Sequence, residues 1–529
     1  MIWKKWLPWR FIIRRVARAH GFLDPIALLA RLQGFAQPSE VAEPIELLRA
    51  GVVFHARGLL NSRVIQHNLD WVWPYWVERQ FNPRDPAFVP RAFSITHINL
   101  THRNWTAVGL PDCPELPIVD PRGLVTPLLD QWSLDGWLLT DNGAVLLPSR
   151  RDDVDQRLLL DQDLTVQTSI GAADLHLSSR VKVEATEDGA VCRLRLTGRS
   201  ASDGWLVVAL RPYNPEGVSF IHQVRLAADR RTWTINDAQT VNFDAPVDNH
   251  HVANYRDGDV YIHLGDRLDE AAGTCELGML TAAALFRLHK DQERTILASI
   301  PLPTADRPAP VLTWPEELSG QARLAIPDAK LQFLYDAAVR TLILHSPDDV
   351  FPGPYTYKRF WFRDAAFIIH ALLCAGLIGR AERALDRFPP RQTARGFFHS
   401  QDGEWDSNGE ALWIMQRFCE LTGRPPKQDW WPAIRAGAAW ISRKRLREER
   451  DSPHAGLLPA GFSAEHLGPN DFYYWDDFWG VAGLRAAAAL AGRIDKLELA
   501  REFEAEASVA RRAVWNQMTR GLKPRLKAL

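Results

Sequence analysis

The hydrophobic pattern changes its period once along this chain of 529 residues, and a proline-rich stretch marks the change. From about residue 51 to 300, apolar and polar residues alternate, as where Leu194 and Leu196 flank Arg195. This period of two is typical of half-buried antiparallel strands and predicts a large β-sandwich. Residues 301–328 then bring six prolines into 28 positions, which predicts a linker. Strands are predicted at 93–100, 164–170, 175–183, 192–196, 205–210, 260–264 and 295–300.

Beyond the linker the pattern is helical to the last residue. Apolar positions such as Leu499, Phe503 and Ala507 recur every three or four residues, which predicts one buried stripe per helix. We therefore predict four parts: a helical N-terminal segment (1–50), a β domain (51–300), the linker (301–328) and an α-helical domain (329–529). Seven helices are predicted, at 328–344, 361–375, 380–388, 407–422, 429–447, 477–491 and 497–518.

Charge and cysteine usage exclude several classes of protein. The 63 Lys and Arg residues nearly balance the 64 Asp and Glu residues, so no general attraction to nucleic acid is expected. The five cysteines are scattered and never form a CxxC pair, which argues against a disulfide framework or a structural zinc site. We therefore expect a reducing compartment, the cytoplasm. The sequence also lacks P-loop, GxGxxG, HExxH and GxSxG motifs, and no metal or cofactor is predicted.

The N-terminal residues 1–20 combine Trp3, Trp6 and Trp9 with interleaved Lys and Arg. Such a basic amphipathic helix packs on the body of the protein or lies on a membrane surface as a peripheral contact. Nowhere does the chain offer about 18 consecutive apolar residues, so no transmembrane helix is predicted.

Acidic and aromatic residues collect in three clusters of the predicted helical domain. In the first cluster, Arg363 and Asp364 follow Trp361 and Phe362 at the start of an apolar helix. A carboxylate in a first helical turn is stabilised by the helix dipole, by about 0.3–1 kcal/mol. It can equally accept hydrogen bonds from the hydroxyl groups of a ligand, with the neighbouring guanidinium holding it ionised.

The second cluster is the stretch QDGEWDSNGE before and within the helix predicted at 407–422. Ser407 and Glu410, three residues apart, match a capping box at the start of a helix. This structural interpretation leaves Asp402, Glu404 and Trp405 unexplained. An acidic loop around an indole suits a polar, ring-shaped and uncharged ligand.

The third cluster places Asp476 and Asp477 among six aromatic residues within eight positions, and Glu465 precedes it. One helix face cannot bury so many aromatic rings, so we expect several of them to border a cleft. A carboxyl group beside such surfaces loses hydration and its pKa rises, which is what a general acid requires. The alternative is that either Asp476 or Asp477 caps the helix.

The order of domains, together with WFRD at 361–364 and QDGEWDSNGE at 401–410, resembles the six-hairpin glycosidase superfamily. Within it, the resemblance is to glucoamylase-like and glucodextranase-like enzymes and to related debranching enzymes. The resemblance implies a galactose-mutarotase-like β-supersandwich followed by an (α/α)6 barrel, with a sugar site in the loops at the N-terminal ends of the inner helices.

The resemblance also implies roles for individual residues. Arg363 and Asp364 would bind the terminal sugar, and Asp406 and Glu410 would line the site. The general acid would be Asp476, Asp477 or Glu465. The sugar would stack on Trp361, Trp405 and Trp475.

One departure from the superfamily concerns the number of helices. A closed barrel of six hairpins needs twelve helices, whereas the sequence predicts seven, so we expect an incomplete barrel without the family's general base. The predicted function is hydrolysis of glucosidic linkages in an oligo- or polysaccharide by an inverting acid/base mechanism. The alternative is a non-catalytic carbohydrate-binding protein, a truncated and inactive derivative of such an enzyme. The sequence predicts no oligomeric state.

Overall fold

The computed structural model describes most of the chain after residue 104. The described residues are 68, 70–78, 105–161, 163–187, 189–214, 217–266, 269–303, 312–355, 358–447, 452–462 and 471–527, with side chains up to 520. The predicted N-terminal segment, the predicted strand at 93–100 and Glu465 lie outside these residues.

The chain divides into two compact units. The sheet unit spans Phe54–Asp348 and Gly353–Lys358, and the helical unit includes Asp349–Pro352 and Arg359–Leu529. The helix at Ala329–Leu344 therefore belongs to the sheet unit.

Two large antiparallel sheets build the sheet unit. Among the described residues, eight strands form the first sheet, in the order β1-β2-β3-β4-β10-β18-β16 with β5 beside β4. Their bounds are β1 Thr106–Ala107, β2 Ile118–Val119, β3 Val125–Thr126, β4 Ser133–Thr140, β5 Val145–Leu146, β10 Gly204–Arg211, β16 Asn249–Ala253 and β18 Thr281–Leu288.

Nine described strands form the second sheet, in the order β17-β13-β14-β15-β19-β9-β8-β7-β6. Their bounds are β6 Asp155–Leu159, β7 Thr165–Ala172, β8 Leu175–Thr186, β9 Gly189–Ser200, β13 Gln223–Leu226, β14 Thr232–Ile235, β15 Gln239–Phe243, β17 Ala272–Thr274 and β19 Glu293–Pro301. A short hairpin of β11 (Tyr213–Asn214) and β12 (Gly217–Val218) forms a separate pair.

The alternation in the sequence sets which side chains face the core. In β8 and β9 the apolar residues are buried and the intervening polar residues are more exposed, as predicted for half-buried strands. Gly198 of β9 shows how closely the sheets approach, because a Cβ there would lie 2.6 Å from Leu138 of β4. The two sheets thus pack face to face around a shared apolar layer.

The predicted strand at 260–264 is wrong. Val260–His263 forms a 3-10 helix, and the Asp259 side chain accepts a hydrogen bond from the backbone N–H of Tyr261. Asp259 also forms a fully buried ion pair with Arg211. The Nη1 of Arg211 lies 2.7 Å from the Oδ1 of Asp259. Leaving either buried charge unpaired would cost more free energy than giving up the strand that the segment's residues favour. The segment therefore takes the conformation that keeps the ion pair.

Short and long helices complete the two units. The sheet unit contains α1 (Tyr75–Glu78), α2 (Trp314–Leu318) and α3 (Ala329–Leu344) among its described residues, and Trp314 of the predicted linker is buried. The described helices of the helical unit are α4 Phe362–Cys374, α5 Ile378–Asp386, α6 Ser407–Thr422, α7 Trp431–Lys444, α8 Tyr474–Gly492 and α9 Leu497–Lys527. All seven predicted helices are confirmed, with ends that differ by a few residues.

Helices α6 and α8 make a close contact in the helical unit. A Cβ at Gly409 would lie 2.1 Å from the backbone oxygen of Trp479, and a Cβ at Gly483 would lie 2.6 Å from Gly409 Cα. The two glycines allow the helix backbones to touch, which brings the beginnings of both helices together.

No helix among the described residues is both long enough and apolar enough to span a bilayer. The five cysteines are free thiols, of which only Cys374 is exposed.

Candidate functional site

Three segments of the helical unit meet at the carboxylate of Asp406. Arg363, in the first turn of α4, donates to its Oδ2 from Nε at 2.8 Å and from Nη2 at 2.6 Å. The indole Nε1 of Trp475, in the first turn of α8, donates to the same oxygen at 2.7 Å. Asp406 is the residue just before α6. The site is therefore built where three helices begin.

The start of α6 differs from the predicted capping box. Asp406 occupies the N-cap position, yet its side chain makes no capping hydrogen bond because it binds Arg363 and Trp475. The hydroxyl of Ser407 donates towards the backbone oxygens of Phe398 and Glu404, so it does not cap the helix either. The capping interpretation of Ser407 and Glu410 is wrong, because the Ser407 hydroxyl donates to backbone oxygens and neither carboxyl oxygen of Glu410 has a hydrogen-bond partner among the described residues.

Arg363 stays charged although it is largely buried. Burial opposes the charge of the guanidinium, but the charge of the Asp406 carboxylate and its hydrogen bonds with Arg363 outweigh this cost and raise the pKa of Arg363. Its guanidinium carbon also lies 5.6 Å from the ring centre of Trp475, within range of a cation–π contact. Arg363 thus holds Asp406 and Trp475 in one arrangement.

Glu410 lies one helical turn after Asp406 and is completely buried. Neither carboxyl oxygen makes a hydrogen bond to the described residues, and the Nε of Arg363 is 3.8 Å from Oε1. Burial, followed by the charge of Asp406, raises the pKa of Glu410 well above its ordinary value. Its surroundings therefore favour the protonated form of Glu410.

Glu404 precedes Asp406 by two residues and is also buried, with 5% of its surface exposed. Burial and then the charge of Asp406 raise its pKa to about 8, against the opposing effects of Arg363 and Arg359. No role was predicted for Glu404 from the sequence. Its position in the acidic loop before α6, which the capping box did not explain, could have indicated that it belongs to the site.

Asp476 and Asp477 lie in the first turn of α8 and are both buried. Burial raises the pKa of Asp476 well above its ordinary value, and the charges of Asp406 and Asp477 add to this effect. Burial also raises the pKa of Asp477 to about 7, although its Oδ1 accepts a hydrogen bond from the backbone N–H of Leu458 at 2.8 Å. Asp477 thus ties a neighbouring loop to α8, while Asp476 faces the Asp406 group.

The aromatic residues at the start of α8 are exposed, apart from the half-buried Trp479. Trp475 is 44% exposed and Phe478 is 50% exposed, and Tyr474 is exposed as well. The rings of Trp475 and Trp479 lie 5.8 Å apart, at 70° to each other. Trp475 therefore combines a hydrogen bond to Asp406 with a ring surface that is open to a ligand.

The other two predicted stacking residues differ from Trp475. Trp405 is 6% exposed, with Phe397 and Trp440 against its ring and Lys444 Nζ 4.2 Å from the ring centre. Its indole offers no open face. Trp361 is half-buried, and the guanidinium of Arg359 lies 4.6 Å from the centre of its ring.

Asp364 also lies near the Asp406 group. It is half-buried in the first turn of α4, and its charge contributes to the raised pKa of Glu404. The structure thus brings together Arg363, Asp364, Asp406, Glu410, Trp475 and Asp476, with Glu404 as an addition.

The site is a group of acids around one cation and one open indole. Carboxyl groups with raised pKa values can donate a proton, and Asp406 fixes the orientation of Arg363 and Trp475 through its hydrogen bonds. Among the described residues, no three His, Cys, Asp or Glu side chains are arranged to hold a metal ion. The arrangement suits proton transfer to an uncharged, hydroxyl-rich ligand.

Comparison with solved structures identifies a shared fold. A bacterial glucoamylase, crystallised in complex with acarbose, superposes with a TM-score of 0.55 and 10% sequence identity over 77% of this chain and 67% of the glucoamylase. This likeness confirms a glucoamylase-like fold with large antiparallel sheets and a helical C-terminal region.

A family GH92 alpha-mannosidase from Bacteroides thetaiotaomicron gives a TM-score of 0.39 and 9% identity over 77% of this chain. The chain spans 63% of the length of that mannosidase. No protein-family model matches the sequence, and no curated protein matches it.

Proposed function

We propose that this protein is a carbohydrate-active enzyme that hydrolyses glucosidic linkages of an oligo- or polysaccharide. The observation that carries the proposal is the hydrogen-bonded group of Arg363, Asp406 and Trp475, with Asp476 and Glu404 beside it as buried acids whose pKa values are raised. The glucoamylase-like fold supports the same conclusion. An inverting reaction requires two such carboxyl groups about 6.5–9.5 Å apart, with room for water between them.

The ligand-binding part of the proposal rests on Trp475 and its neighbours. An exposed indole offers an apolar face against which a pyranose ring can stack. Asp364 and Arg363 would hydrogen bond to the hydroxyl groups of the terminal sugar. Because the carboxylate of Asp406 already accepts three N–H groups on Oδ2, its main role would be to orient Arg363 and Trp475.

The proton donor in this proposal is Asp476. Its side chain is buried beside other acids, which raises its pKa well above the ordinary value and favours the protonated form. It would donate this proton to the glycosidic oxygen as the bond from that oxygen to the anomeric carbon breaks. Asp477 is the weaker candidate because its carboxylate is engaged by Leu458 N–H.

Non-catalytic carbohydrate binding is the second candidate function. It is favoured by the helix count, since the described part of the helical unit contains six α-helices and a complete six-hairpin barrel has twelve. A binding protein would need the open indole of Trp475 and the polar groups around Asp406, and no proton donor.

Turnover and binding, measured on the same preparations, separate the two candidates. Release of glucose from maltooligosaccharides is measured beside binding by isothermal titration calorimetry, for the wild type and for Asp476→Asn and Asp477→Asn. The hydrolase proposal expects Asp476→Asn to lose turnover by about 10²–10⁴-fold while it retains binding. Asp477→Asn is the matched control, since its amide oxygen can still accept from Leu458 N–H. Binding without turnover by the wild type at every pH would establish the second candidate.

A further inference from the structure

Two acids of the site keep a small exposed surface and make no hydrogen bond within the described part of the chain. Glu404 and Asp476 are each 5% exposed, and neither carboxyl group makes a hydrogen bond with a described residue. Each interacts electrostatically with Asp406 and Arg363, and the two acids interact with each other. A buried carboxyl group without a partner is costly unless it serves a ligand.

Three other acids of the group, Asp406, Asp477 and Glu410, either accept hydrogen bonds or have no exposed surface. Asp406 directs Oδ2 at three N–H donors, and Asp477 accepts from Leu458 N–H. Glu410 has no exposed surface, so neither water nor a ligand reaches its oxygens. Apart from Asp364, which is proposed to bind sugar hydroxyls, Glu404 and Asp476 are therefore the two described carboxyl groups of this cluster that are open to a ligand.

Their surroundings make one of the two easier to ionise. Glu404 faces two cations, Arg363 and Arg359, against the acids Asp406 and Asp364. Asp476 faces one cation, Arg363, against the acids Asp406, Asp477 and Glu404. Because cations favour the ionised form of a carboxyl group, these surroundings favour Glu404 as the acid that gives up its proton and Asp476 as the acid that keeps it.

We propose that Glu404 is the second catalytic carboxyl group of this site, the general base that activates water, with Asp476 as the general acid. This inference rests on the proposed hydrolase function and gives the described chain both carboxyl groups that the reaction requires. The seven helices predicted from the sequence had implied a chain without the family's general base.

The reaction balances with these two groups and water. The water oxygen forms a bond to the anomeric carbon and loses one proton to the ionised Glu404. The bond from the anomeric carbon to the glycosidic oxygen breaks, and that oxygen takes the proton of Asp476. Glu404 ends protonated and Asp476 ends ionised, so one proton must return from Glu404 to Asp476 through solvent before the next turnover.

Substrates with different leaving groups distinguish the acid from the base. Wild type, Glu404→Gln, Glu404→Ala and Asp476→Asn are assayed on maltooligosaccharide and on a glucosyl fluoride. A fluoride leaving group needs little protonation, so the fluoride should restore much of the activity of Asp476→Asn. Both Glu404 variants should stay about 10²–10⁴-fold below wild type on both substrates.

Azide provides a readout that a structural role of Glu404 would not affect. If Glu404 is the base, Glu404→Ala with azide should consume the glucosyl fluoride faster and form a glucosyl azide, because the anion attacks in place of activated water. Asp402→Asn is the matched control, an exposed acid in the same loop that pairs with His399, and it should keep wild-type turnover. Melting temperature and maltooligosaccharide binding verify that each variant is folded.

The possible failures are distinguishable. If the wild type hydrolyses neither substrate, the proposed hydrolase function is overturned and this inference with it. If the wild type is active and folded Glu404→Gln retains its rate on both substrates, the proposed function stands and the assignment of Glu404 is wrong. Restoration of Glu404→Gln by the fluoride substrate would instead make Glu404 the acid and would also overturn the assignment.

Discussion

The indole Nε1 of Trp475 donates a hydrogen bond of 2.7 Å to Oδ2 of Asp406, across 69 residues of sequence. The same oxygen accepts two hydrogen bonds from Arg363. One carboxylate oxygen thus couples the first turns of α4 and α8 to the residue that begins α6. The arrangement of the whole site depends on this charge, and four predictions follow from the contacts around it.

Asp406→Asn should destabilise the helical unit by about 3 kcal/mol, because it leaves the largely buried guanidinium of Arg363 without its carboxylate. Urea denaturation of the wild type and the variant measures this difference in the free energy of unfolding. Glu420→Gln is the control, since it breaks the more exposed pair with Arg417 and should cost less than about 1 kcal/mol. Equal stability of Asp406→Asn and wild type would contradict the structural role of the Asp406 charge.

Trp475→Phe should weaken maltooligosaccharide binding roughly tenfold, which corresponds to about 1.4 kcal/mol. The phenyl ring keeps part of the stacking surface, while the N–H group that orients the ring against Asp406 is lost. Trp475→Ala should weaken binding further. Trp515→Phe, at a residue of α9 that is 68% exposed, is the control and should bind as the wild type does. Calorimetric titration measures the three affinities, and unchanged binding by Trp475→Ala would remove this residue from the site.

The part of the stability that comes from Glu404 and Asp477 should fall as the pH rises from about 4 to about 8. Folding raises the pKa of Glu404 from 4.5 to about 8 and that of Asp477 from 3.8 to about 7. In this range the folded state binds more protons than the unfolded state, so the free energy of unfolding decreases as these protons are lost.

Glu404→Gln should remove the part of the pH dependence of the free energy of unfolding that arises from the titration of Glu404. The variant should gain stability relative to the wild type as the pH approaches about 9, because a neutral amide does not suffer the cost of burying a charge. Urea denaturation at about pH 5 and about pH 9 tests the difference. Glu420→Gln, in a more exposed pair, should show no such gain. A parallel decline of wild type and Glu404→Gln would contradict the raised pKa of Glu404.

Gly409→Ala should separate α6 from α8 and disrupt the site from a distance. A Cβ at this residue would lie 2.1 Å from the backbone oxygen of Trp479, so one helix must move. We expect a loss of about 1–3 kcal/mol in stability and a loss of turnover, as Trp475 shifts away from Asp406. Gly492→Ala is the matched control at the end of α8, where no atom lies within 4 Å of the added Cβ. It should be neutral or stabilising by up to about 1 kcal/mol. Thermal melts with activity assays compare the two variants.

Local periodicity determined most of the secondary structure. The helices of the helical unit follow from apolar residues at three- and four-residue intervals, and β8 and β9 follow from alternation. Both patterns record which face of an element is buried, and that information is local. The segment at 260–264 failed because the buried pair of Asp259 and Arg211, 48 residues apart, decides its conformation.

The candidate site is formed by residues that lie far apart in the sequence. The sequence alone determined the types of residue available and the helix starts on which Arg363, Asp406 and Asp476 lie. Only the tertiary structure decided that Trp405 is packed in the core, that Glu410 is sealed and that Glu404 stays free. Burial and hydrogen-bond partners arise from residues 43 and 69 positions apart, such as those joined at Asp406, and no local pattern in a sequence encodes such pairings. The physical reason is that a carboxyl group's charge and access depend on what surrounds it in space.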